Sequence, residues 1–194
     1  MKQKTTLLAV LLICIAILGS GTLAYYTSDY QVHNVITTDG VDIEIEEWQE
    51  TDEGLVPYPD EKIQVMPGTE VSKIATVKNK DAEAFVRAKY VVTVKDASEQ
   101  MMNLSQETLD EIISVALNTD NWEQKDGDSE WWYYNKPVAP ATSTEAFFTK
   151  VIFDGPNMTN EYQNCTVEID VIAQAVQKAN NGESALTAAG WSAE

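Results

Sequence analysis

The stretch "AFVRAKYVVTVK" (Ala84–Lys95) alternates along its whole length. Ala84, Val86, Ala88, Tyr90, Val92 and Val94 fall on one side, and Arg87, Lys89, Thr93 and Lys95 fall on the other. A period of two with many β-branched residues predicts a strand that buries one face. The same period recurs on both sides of this stretch. Upstream, Val41, Ile43 and Ile45 alternate with Asp42, Glu44 and Glu46, giving a strand with an acidic outer face. Val71 to Lys78 reads as another strand, entered through "MPGT" (Met66–Thr69), where Pro and Gly hold the central positions of a type II turn. "NKDAE" (Asn79–Glu83) turns the chain into the stretch quoted first.

Downstream, "LSQETLDEIISVALN" (Leu104–Asn118) changes to helical spacing at Leu109, Ile112, Ile113, Ala116 and Leu117. Ser105 is the expected N-cap, and Glu107, Asp110 and Glu111 lie near the positive end of the dipole. One helical insertion over about 105–118 follows. Residues 122–134 read as a hairpin around "KDGDS", with Asp126-Gly127 as the turn signal. Phe147, Thr149, Val151 and Phe153 suggest a strand, and Cys165, Val167, Ile169, Val171, Ala173 and Ala175 a long closing one with Glu168 and Asp170 outward. "QETDEGLVPYPD" (49–60), with two prolines, is expected to be a loop. The tail from 181 onward is expected to be a short helix or disordered. About seven strands with one helical insertion predict an all-β fold, an antiparallel β-sandwich occupying residues 38–180.

The first 24 residues differ in kind. Lys2 and Lys4 precede an unbroken apolar run, Leu7–Leu18, which is too short for a spanning helix and suits a signal-peptide core. Gly19, Ser20 and Gly21 break it, and Thr22 and Ala24 stand at the −3 and −1 positions of a cut before Tyr25. An uncleaved anchor over Leu7–Tyr26 is the competing reading. On the cleavage reading the protein is secreted, and the membrane is involved only through the signal.

The 194-residue chain carries 13 basic and 31 acidic side chains. Both lysines of the leader are lost on cleavage, while every acid stays. Such a surface repels nucleic acid and anionic lipid. Seven basic residues cluster between Lys62 and Lys95: Lys62, Lys73, Lys78, Lys80, Arg87, Lys89 and Lys95. They fit either cross-strand pairing within one sheet or a patch that meets an acidic surface on another subunit.

Little in the sequence points to catalysis. The single histidine, His33, cannot supply the imidazoles of a zinc protease. Cys165 alternates with apolar residues and reads as a buried thiol, and Cys14 lies in the apolar run, so no intramolecular disulfide forms in a cleaved chain. "DGDSEW" (Asp126–Trp131) fails the calcium-loop pattern because Trp131 replaces the turning glycine. No catalytic, metal or cofactor residue is assigned, and no cofactor is expected. "WWYY" (Trp131, Trp132, Tyr133, Tyr134) would send alternate rings to opposite faces. One pair enters the core, and the other packs on the helix or a neighbouring subunit, or forms an exposed aromatic platform of the kind that binds sugars.

The signal end "GSGTLAYYTS", the strand "GVDIEIEEW", the run "VMPGTEVSKIATVKNKDAEAFVRAKYVVTV" and the long closing strand together resemble the TasA/camelysin group of bacterial exported proteins, which carry SipW-type signal peptides. The resemblance covers most of the chain. It implies a jelly-roll-like sandwich, export through a dedicated signal peptidase, and a role as a fibre subunit of a biofilm matrix at or outside the cell surface. It also implies self-association, with the N-terminal segment 25–37 donated to a sheet of the next subunit and Tyr26, Tyr30 and Val32 as pocket fillers. Other matrix proteins are further possible partners. Camelysin-like members are also classed as metallopeptidases, and a cell-surface metallopeptidase or a carbohydrate-binding module are the alternative expectations.

Overall fold

Two β-sheets pack face to face in the computed structural model, which describes residues 26–29, 35–37, 41–59 and 63–191. The strands are β1 (Tyr26–Asp29), β2 (Val35–Thr37), β3 (Ile43–Thr51), β4 (Gly54–Pro57), β5 (Ile63–Val65), β6 (Glu70–Asn79) and β7 (Ala84–Lys95). Helix α1 (Gln106–Ile112) follows, and then β8 (Ile113–Leu117), β9 (Trp122–Gln124), β10 (Trp132–Tyr134), β11 (Phe148–Phe153) and β12 (Thr166–Gln177). One sheet has the order β5-β1-β12-β7-β10-β9, with β2 also paired to β12, and the other has β4-β3-β6-β11-β8. From β4 onward the chain passes repeatedly from one sheet to the other, so each sheet buries the face that the other would leave wet. The all-β sandwich expected from the alternation is the fold observed.

The quoted stretch lies at its centre. β7 pairs antiparallel with β12 over its full length, from Ala84↔Gln177 to Lys95↔Thr166. Val86, Ala88 and Val94 of β7 and Val167, Ile169, Val171, Ala173 and Ala175 of β12 are buried between the sheets. Across the gap they meet Ile43 and Ile45 of β3, Ala75 and Val77 of β6, and Phe148, Val151 and Phe153 of β11. Pro67-Gly68 makes the expected turn. The Thr69 N–H donates to the Met66 carbonyl at 3.2 Å, and Gly68 has φ +78°, which a residue with a Cβ adopts only at a cost.

Three local expectations are corrected. The helix stops at Ile112, and 113–117 is strand β8, paired with β11 through Ile113↔Phe153 and Val115↔Val151. Ile113, Val115 and Leu117 also have a period of two, and for β-branched residues a partner strand outweighs helical spacing. Residues 49–60 are not all loop. β3 runs on to Thr51 and turns through Gly54, at φ +111°, into β4, with Pro57 on a sheet edge where its missing N–H costs no ladder bond. The described tail, 181–191, is neither a helix nor loose chain. Its turns lay Ala185, Ala188 and Trp191 on the outer face of the β12 sheet, so the packed domain runs past residue 180.

Candidate functional site

The long edge of β12 opposite β7 is covered by the N-terminal strands. β1 runs parallel to it with Thr27↔Thr166, Ser28↔Val167 and Asp29↔Glu168, and β2 continues with Val35↔Ala173, Ile36↔Gln174 and Thr37↔Ala175. Both therefore follow the same edge in the same direction. β1 is closed on its other side by β5, with Tyr26 opposite Val65. Of the expected donor residues, Tyr26 thus lies in a strand of its own chain's sheet, whereas Tyr30 and Val32 lie outside the described residues. So do Thr22, Ala24, Tyr25 and His33.

"WWYY" is covered on both faces. Trp132 and Tyr134 turn towards the inter-sheet core, where the Tyr134 ring lies 5.1 Å from that of Trp122. Trp131 and Tyr133 turn outward and are covered by the tail, with Tyr133 and Trp191 edge to face at 5.7 Å. Trp131, Tyr133 and Tyr134 are 5%, 3% and 4% exposed, so the stretch does not form the exposed platform considered from the sequence. Arg87 fills the space under the tail. Its guanidinium sits 4.2 Å above Trp131 and 5.0 Å from Trp191, and its Nε and Nη2 donate to Gln174 Oε1 at 3.1 and 2.7 Å. A buried cation is tolerable there because aromatic faces and an amide oxygen replace its water.

"KDGDS" forms the expected hairpin turn, with Gly127 at φ +82° and β9 antiparallel to β10. Asp128 holds it closed. Its Oδ2 accepts from the Tyr133 hydroxyl at 2.8 Å, and its Oδ1 from the N–H groups of Trp131 and Glu130. Burial pushes the Asp128 carboxyl up, but the donors from Tyr133, Trp131 and Glu130, with Arg87 nearby, bring it below its ordinary range.

The clustered basic residues are engaged within the chain. Lys73 pairs with Glu47 and Lys78 with Glu46 across β6 and β3, Lys80, just past the end of β6, pairs with Glu44, Lys95 with Glu168 across β7 and β12, and Lys89 with Glu130. Pairing within the chain, cross-strand for Lys73, Lys78 and Lys95, engages those that are described, Lys62 being outside the described residues. The Lys73–Glu47 pair was not foreseen. It is 2.5 Å long, lies between the sheets with both side chains almost wholly buried, and places the ammonium 4.2 Å from the centre of the Tyr58 ring. Burial pushes Lys73 below its ordinary value, and Glu47 only partly offsets this. The signal was in the phase: Glu47 follows Ile43 and Ile45 on the inward positions of β3, and Lys73 precedes Ala75 and Val77 on those of β6.

Cys165 is buried beside Met102, and burial raises its thiol, with the nearby Asp96 adding to the rise. Among the described residues no three His, Cys, Asp or Glu side chains converge as a metal site, and no helix is long and apolar enough to cross a membrane. Comparison with family models, curated proteins and solved structures found no match for this chain.

Proposed function

We propose that this chain is an exported, non-enzymatic structural subunit of an extracellular matrix, and that it assembles into fibres by donating its N-terminal segment to a neighbouring copy. One observation carries this reading: β1 and β2 lie in line against a single edge of β12. An added strand binds mainly through its backbone, so an edge that accepts this segment in its own chain can accept it from another. β12 without it would present a long edge backed by an apolar face, which is the usual template for pairing between chains. Exchange in one direction does not close, so it yields filaments rather than dimers. In this reading the leader is cut after Ala24 by a dedicated signal peptidase, which frees the donor segment outside the cell.

Electron microscopy of the purified chain from Tyr25 is the test. The chain is expected to form filaments, and deletion of 25–37 is expected to give a folded species that does not polymerise. Normal filaments from the truncated chain would falsify strand donation.

A further inference from the structure

β7 has a second edge, and part of it has no strand beside it among the described residues. The Lys178 N–H donates to the Glu83 carbonyl, and the unbroken β7–β12 register carries that phase along the strand. Odd-numbered residues of β7 therefore turn their backbone groups to β12, and even-numbered ones turn theirs away. Ala84 exchanges two hydrogen bonds with Val138, Ala88 is opposite Trp132 of β10, and the Val94 carbonyl accepts from the Met102 N–H. Between these points, Tyr90 and Val92 face no strand among the described residues, because Glu130 leaves the line of β10 and turns its N–H to Asp128. Their N–H and C=O groups open instead into a cleft of about 750 Å³, whose walls include Leu117 of β8, Asp110 of α1, and Trp132 and Glu130.

We infer that this gap is a docking site for an extended, basic peptide segment of a partner protein, which would pair antiparallel or parallel with Tyr90–Val92. Backbone groups left open on a sheet edge are satisfied by an added strand. Alternate side chains of that strand would stand beside Tyr90 and Val92, facing Leu117 and Asp110, and the residue between them would stand beside Val91, which is 41% exposed. Charge selects the occupant. The cleft walls hold Asp110 and Glu130 against one cation, Lys89, already paired with Glu130, on a chain of net charge −18. That field repels a second copy of this chain and attracts lysine or arginine. The inference does not rest on N-terminal strand donation, which uses the opposite edge of the sheet.

The test is amide hydrogen exchange on the mature chain, with and without a blocked heptapeptide of alternating lysine and valine. The Tyr90 and Val92 amides should gain protection while Val91, already bonded to β12, stays unchanged. Val92→Pro removes one of the open donors without touching the β12 ladder, and Asp110→Lys reverses the charge of the wall. Each should weaken binding by roughly tenfold or more. Asp110 is exposed on a helix, so its variant reports even if the proline variant does not fold. Unchanged Tyr90 and Val92 amides, equal binding of a glutamate–valine peptide, or protection that rises with protein concentration alone would each overturn the inference.

Discussion

Lys73 and Glu47 are the most consequential single residues. A buried ion pair is a poor source of net stability, because desolvation of both charges offsets most of their attraction, but breaking it strands a charge. Glu47→Ala is expected to destabilise the domain by about 3–5 kcal/mol. The double change Glu47→Leu/Lys73→Met should recover most of that loss, and urea unfolding of the three proteins measures both. Asp128 contributes in a different way. Its carboxyl titrates below the ordinary 3.8 when folded, so its contribution is fully present above that value and is lost as pH falls through the lower, folded one. Asp128→Asn should therefore be less stable than the parent at pH 6, and the gap should narrow towards pH 2. Melting curves at several acid pH values follow it. A gap that is constant with pH would mean that the carboxylate charge does not matter to the turn.

At the scale of elements, what the sequence revealed was whatever repeated. β3, β6, β7 and β12 each hold one period over many residues, and each appears where alternation put it. β8 is hidden in the sequence because Ile112, Ile113, Ala116 and Leu117 fit a helix in isolation, whereas the pairing with β11 that decides the matter lies some 35 residues away in sequence. The tail was illegible for a related reason. Ala185, Ala188 and Trp191 have no period of their own, and what orders them is the outward-turned rings of Trp131 and Tyr133, brought there by another part of the chain. The tail is thus a cover to which Trp191 contributes by packing on Tyr133 and Arg87 and donating from its indole Nε1 to the Ala185 carbonyl. Trp191→Ala should cost about 2 kcal/mol, the order expected for uncovering one large apolar side chain. It should also raise solvent quenching of Trp131 fluorescence. If quenching is unchanged, the tail does not cover that ring.

For the molecule as a whole, the question is whether β12 is capped by its own N-terminus or by that of a neighbour. The candidate site was legible from sequence only as a segment, the stretch that follows the expected cut before Tyr25, and nothing in the sequence pointed to β12 as the edge it meets. The observed register supplies a direct discriminator, because a swapped strand keeps its partner residues and changes only the chain they belong to. Asp29 lies opposite Glu168 in β12. In a Cys165→Ala background, Asp29→Cys/Glu168→Cys puts two cysteines at paired positions of neighbouring strands, where a disulfide is to be tried. Oxidised monomer should give an internal link and one band on a non-reducing gel. Oxidised filament should give a ladder of covalent multimers, since each link joins one copy's N-terminal strand to the next copy's β12. A mixture of two single-cysteine chains should cross-link only after they have been co-assembled. Filaments whose links all remain within single chains would show that the segment stays at home during assembly, and would move the fibre contact to some other surface.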